Sequence, residues 1–163
     1  MIHVLIPGEP CAQGRPRATV VNGHARMYDP KGSKSWKGSA RLAMQAARPT
    51  PILDGPIEVW LLAVHSCPRT DYRKREPQPR RWRDKKPDCE NVVKSALDAA
   101  TGVLWRDDAQ IARLTVEQVT GAQDEAPRVE MWALALSVGC GGLTVGDAVA
   151  GFSGEIVEVS RCP

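Results

Sequence analysis

Lys86-Pro87-Asp88-Cys89-Glu90-Asn91-Val92-Val93-Lys94-Ser95-Ala96-Leu97-Asp98-Ala99-Ala100 is the stretch around which the rest of the chain can be organised. Val92, Val93, Ala96, Leu97 and Ala100 recur at helical spacing, which predicts a helix with one buried face. Asp88 is a good N-cap for it, and Gly102 is placed to end it. Asp88 and Glu90 then stand at the helix N-terminus. Asn91, Lys94 and Asp98, at steps of three and four, project from one side. Gly102-Val103-Leu104-Trp105-Arg106-Asp107-Asp108-Ala109-Gln110 follows, and a return of the chain here is expected to bring Asp107 or Asp108 back beside the first acids.

Outward from this helix the chain alternates strand and helix signals. Upstream, Ile57 to His65 has the Val, Trp and Leu content of a well-buried strand, bounded by the Asp54-Gly55-Pro56 turn. Lys31 to Ala47 predicts another helix, with Trp36, Ala40, Leu42, Ala43 and Ala47 on one face. Ile2 to Ile6 predicts a first strand ended by Pro7-Gly8. Thr19-Val20-Val21 and Ala25 to Tyr28 flank Asn22-Gly23, a tight-hairpin signal because both residues tolerate positive φ. Downstream, Ile111 to Thr120 and Arg128 to Ser137 read as two strands joined by a polar turn. The expected fold is α+β, a mixed, largely antiparallel sheet with two main helices packed on it.

A chain of 163 residues suits one compact domain, expected over 1–136, with 137–163 a glycine-rich extension of unassigned role. No run of 18 apolar residues and no basic, apolar leader is present, so a soluble, cytoplasmic protein with no membrane partner is expected. Cys11, Cys67, Cys89, Cys140 and Cys162 are odd in number and never spaced as a C-x-x-C pair, which argues against a disulfide framework or zinc site. His3, His24 and His65 have no partner at ligand spacing and receive no role.

Charge is distributed unevenly. Between Arg69 and Lys86 nine basic residues face three acidic ones, a net of +6 in a chain whose total is +3. Such a block fits a polyanion, because Lys and Arg contacts to phosphates release condensed counterions. A solvated surface loop is the plainer reading of the same residues. The acids that follow have two readings as well. Acids in a first turn are favoured by capping and by the helix dipole, and Glu90 with Lys94 is an ordinary i,i+4 ion pair. Yet Asp88, Glu90 and Asp108 are also the hard oxygen donors that magnesium requires, and Lys94 is placed to stabilise charge on a phosphoryl group. Acids directly after a cationic segment would repel DNA unless a metal neutralised them.

The order Lys86-Pro87-Asp88-x-Glu90-Asn91-x-x-Lys94-x-x-x-Asp98-Ala99, then Gly102-Val103, then Asp107-Asp108-x-Gln110 resembles the RusA-type Holliday-junction resolvases. Ile6-Pro7-Gly8-Glu9-Pro10 with Gly14-Arg15-Pro16-Arg17 is similar to their opening, so the resemblance runs from Met1 to about Leu136. It implies a homodimeric, Mg2+-dependent endonuclease, with Mn2+ as the alternative ion, that nicks four-way DNA junctions symmetrically during recombination and repair. Asp88, Glu90 and Asp108 match the family's essential acids and Lys94 its essential lysine, with Asn91, Asp98 and Asp107 as supporting positions. Glu90 departs from the usual aspartate, so it is expected to reach the metal from a shifted backbone or through water.

On this reading Arg15, Arg17, Arg73, Lys74, Arg75, Arg80, Arg81, Arg83, Lys85 and Lys86 grip DNA phosphates. Trp82 either stacks on a base or wedges the junction, or else anchors its own loop, while Trp36, Trp60 and Trp132 belong to the core. Two other readings remain open: a nuclease for flaps, forks or RNA, and a nucleic-acid-binding module in which Asp88 is only a cap. A twofold dimer would match the twofold symmetry of a junction.

Overall fold

The computed structural model describes residues 1–14, 17–21, 23–28 and 31–136. Asn22 of the hairpin turn, Arg15, and the extension from 137 onward lie outside them, and the Arg17 side chain is likewise not described. Seven strands and two helices follow in order: β1 (Ile2–Pro7), β2 (Arg17–Val21), β3 (His24–Tyr28), α1 (Lys31–Ala46), β4 (Ile57–His65), β5 (Arg81–Trp82), α2 (Cys89–Ala100), β6 (Ile111–Thr120) and β7 (Arg128–Ala135). The fold is α+β, as the sequence predicts.

Five strands form one sheet in the order β1-β7-β4-β6-β5, and β2 with β3 forms a separate hairpin. Among the described strands, β4 and β6 pair in parallel and the other pairs are antiparallel. A parallel neighbour needs a long crossover, and the segment from Ser66 to Gln110, including α2, supplies it. β4 is central, and all nine of its residues are buried. Ile57, Val59, Leu61 and Ala63 join the helix-side core with Ala40, Met44, Val92 and Ala96. Trp60, Leu62 and Val64 pack on the opposite face with Val119 and Trp132.

The sequence misplaces one helix residue. Leu42, expected on the apolar face of α1, is 69% exposed, and Met44 fills the core instead. Ala40, Met44 and Ala47, at steps of four and three, trace the true buried stripe. β5 is a further difference: this two-residue edge strand forms inside the segment read as a basic loop. Cys11, Cys67 and Cys89 are free thiols. Among the described residues, no helix is long and apolar enough to cross a membrane.

Candidate active site

Asp88 occupies the N-cap of α2 with extended backbone (φ −65°, ψ 138°), yet its side chain makes no capping hydrogen bond. Its Oδ2 instead accepts from Asn91 Nδ2 at 3.3 Å. One turn further, Lys94 Nζ donates to Glu90 Oε1 across an i,i+4 pair. That bond and the lysine charge hold the Glu90 carboxyl below its ordinary range. Asp88, Glu90, Asn91 and Lys94 are therefore gathered at the start of α2.

The segment ahead of Asp88 is fixed from two sides. Gln118 Nε2, on β6, donates to Pro87 O at 2.8 Å, and Arg83 donates to Lys86 O. The loop after β1 closes the third side: Gln13 N donates to Asn91 O at 2.8 Å, while Glu9 accepts from His65 Nδ1 at 3.0 Å and from Ser66 N at 3.1 Å. Burial lowers the His65 pKa, which favours a neutral ring hydrogen-bonded to Glu9. Sequence reasoning gave Glu9, Gln13 and Gln118 no positioning role, because nothing in their spacing reveals these bonds.

Asp108 lies elsewhere. Its Oδ1 accepts from Thr101 Oγ1 and from Trp105 Nε1, the latter at 3.0 Å, and Thr101 is the C-cap of α2. Thirteen positions separate Asp88 from Thr101, about 20 Å at 1.5 Å per residue. The return of the chain after Gly102, expected to bring Asp108 beside Asp88, leaves it at the opposite end of the helix. Among the described residues, no three His, Cys, Asp or Glu side chains form a cluster that could hold a metal ion. The expected three-acid set is thus split within one chain.

The supporting acids have local duties. Asp107 caps the 3-10 turn Asp108–Gln110 by accepting from Ala109 N at 2.8 Å, and the Gln110 side chain completes a capping box. Asp98 pairs with Lys37 of α1 at 2.8 Å, tying the two helices together. Thr101 and Trp105 are the residues that sequence reasoning missed at this end; the i,i+3 spacing from Trp105 to Asp108 is the one available signal.

The basic segment divides into engaged and open cations. Arg80 pairs with Glu125, Arg81 with Asp71, and Arg83 reaches Thr120 Oγ1 at 3.4 Å. Gln123 binds the segment to the β6–β7 turn by accepting from Arg73 N at 2.8 Å. Lys74, Arg75, Lys85 and Lys86 are exposed and form no ion pair with a described residue. Trp82, at 59% exposure, lines an open cleft with Tyr72, Arg73 and Lys85. Trp60 and Trp132 are buried in the core, and Trp36 packs against it half-buried.

Residues 7–131 match the family described as Endodeoxyribonuclease RusA. The chain is also similar to the Uncharacterized protein YqaN of Bacillus subtilis (strain 168), with 32% identity over 135 residues, covering 80% of this chain and 93% of that protein. The match spans both ends of α2 and the cationic segment before it. This chain belongs to the RusA family of endodeoxyribonucleases, enzymes that hydrolyse phosphodiester bonds in DNA and resolve Holliday junctions.

Proposed function

We propose that this protein is a homodimeric, Mg2+-dependent resolvase that cuts four-way junctions by paired symmetric nicks, with each metal centre assembled from two chains. Residues 1–136 are its catalytic unit, acting in the cytoplasm, and 137–163 are an extension.

The observation that carries the reading is the Asp88 carboxylate. An N-cap aspartate that bonded the backbone N–H groups of its helix would be spent on structure; Asp88 makes no such bond, and while Oδ2 is oriented by Asn91, Oδ1 accepts no hydrogen bond from a described residue. Asp108 leaves Oδ2 without a hydrogen bond from a described residue while Oδ1 is held. Carboxylate oxygens of this kind suit magnesium, which takes a few carboxylates and fills its octahedron with water and phosphate oxygens. Bound there, the ion would polarise the scissile phosphate and make the attacking water more acidic.

The length of α2 supports the two-chain assignment. Ligands near 2.1 Å from one ion cannot come from carboxylates at opposite ends of a helix whose caps are about 20 Å apart, so on this reading Asp88 and Glu90 of one chain are completed by Asp108 of the other. The chain's own groups then have distinct tasks. Lys94 places an ammonium beside Glu90 to stabilise charge developing on the phosphoryl oxygens. Asn91 orients Asp88, and Thr101 and Trp105 orient Asp108. Lys74, Arg75, Lys85 and Lys86, with Arg15 and Arg17, hold backbone phosphates.

The test uses four-way junction, fork, flap and duplex substrates with and without Mg2+ or Mn2+. Asp88→Asn and Asp108→Asn should each bind the junction without cutting it. Mixed, the two variants rebuild one intact composite site per heterodimer, so single nicking should return. Mixing that restores nothing, although heterodimers form, would reject the shared site; cutting by either variant alone would reject that residue as a metal ligand.

A further inference from the structure

We propose that a second copy of this chain docks along the open edge of β6, antiparallel to it and centred on Thr115. This rests on the two-chain reading of the site and names the surface that would join the chains.

β6 is paired along its whole length with β4, but on its other side β5 covers only Val119 and Thr120. Arg83 N extends that cover to Gln118 O at 3.1 Å. At the other end the β4 register slips, Ile57 opposing Ile111 and Glu58 opposing Arg113, so Ala112 is a bulge where the strand bends. Arg113 to Glu117 lie between these limits, and no described backbone group bonds their outer side.

Alternation of the ladder fixes which groups face outward. Gly121 N bonds His65 O on β4, whereas Gln118 O turns to Arg83, so even-numbered residues direct their peptide groups away from β4. Leu114 and Val116 therefore offer free donors and acceptors along the edge. In an antiparallel self-pairing centred on Thr115, Leu114 opposes Val116 of the second copy, and Arg113 opposes Glu117, each pair occurring twice by symmetry.

The side chains fit that register. Leu114 is 43% exposed, an apolar residue that the single chain leaves uncovered. Glu117 is half-buried and makes no ion pair within 4 Å among the described residues, and burial raises its pKa. Arg113 already reaches buried Glu58 at 3.5 Å, and on this register it would lie between two carboxylates. Charges on a bare edge ordinarily deter pairing; here they are complementary across the twofold axis.

The register also accounts for the divided site. Arg113 of one copy falls opposite Glu117 of the other, next to Gln118, whose side chain holds Pro87 ahead of Asp88 and whose carbonyl is already taken by Arg83 N. The chain preceding Ala112, which carries Asp108, is thereby led toward the Asp88 end of the other α2.

The full-length chain is tested in two ways, after light scattering over a dilution series gives its dimer constant. Thr115→Cys under mild oxidation should yield a peptide disulfide-linked through position 115 to its own copy, since directly opposed non-hydrogen-bonded residues lie about 4.5 Å apart at Cα. Glu117→Lys should weaken dimerisation about tenfold or more by placing like charges opposite one another. A chain that is monomeric throughout overturns the two-chain site itself. A dimer that forms no link through position 115, or that is indifferent to Glu117→Lys, overturns this edge and register while leaving a shared site on another interface.

Discussion

Trp105, with no solvent exposure, donates its indole N–H to Asp108 Oδ1 at 3.0 Å. A side chain locked in the core thus aims a carboxylate that is itself exposed. Thr101 donates to the same oxygen, so the far end of α2 and the buried ring act together on one acid.

Trp105→Phe keeps an aromatic ring but removes the donor. The Mg2+ concentration for half-maximal cutting is expected to rise by about 10-fold to 100-fold, the usual range for losing a residue that orients a metal ligand. An unchanged metal dependence, with only thermal stability reduced, would assign the bond to packing alone.

Asp88→Ala separates capping from chemistry. Losing an N-cap oxygen that bonds helix N–H groups costs about 1 kcal/mol. Because Asp88 makes no such bond, the substitution should cost less than that in urea denaturation while abolishing cutting. A clear stability loss with cutting retained would reverse the assignment.

The cationic segment should respond in two ways. Lys85→Ala and Lys86→Ala are expected to weaken junction binding and lower the dependence of log K on log salt by about 0.9 for each phosphate no longer neutralised. Arg80→Ala, which removes a partner of Glu125, should lower stability while leaving the salt slope unchanged. Equal effects on the slope would show that Arg80 leaves Glu125 to meet DNA.

Glu125 gives the stability curve an acid limb. Burial pushes its pKa up, but hydrogen bonds from Arg80, Ala122 N–H and Arg128, with the Arg80 charge, pull it down to about 2 from an ordinary 4.5. Its contribution is therefore complete above about pH 4.5 and lost as the pH falls toward about 2. Glu125→Gln should flatten thermal stability measured across that interval; an unaltered slope would place the acid sensitivity elsewhere.

Helix α2 was legible in the sequence because its apolar residues repeat at helical spacing, and β4 because its continuous Val, Trp and Leu content suits a strand buried on both faces. β5 was not, since two residues among eight other cations carry no period and are held only by β6. The acids at the start of α2 were legible for the same local reason: Asp88, Glu90, Asn91 and Lys94 lie within two turns. The position of Asp108 was not, because an acid after a turn can return to either end of the helix. Thr101 and Trp105 decide which end, through bonds that spacing alone does not specify.

The separation of Asp88 from Asp108 along α2 has a kinetic consequence. If each half-site is useless alone, cutting per chain rises with concentration until dimers dominate, then levels off. A newly synthesised single chain would be harmless to duplex DNA, and dilution would switch the nuclease off without any inhibitor. On the proposed two-chain site the helix would act as a safety interval: too long for one chain to close, and closed when two chains meet.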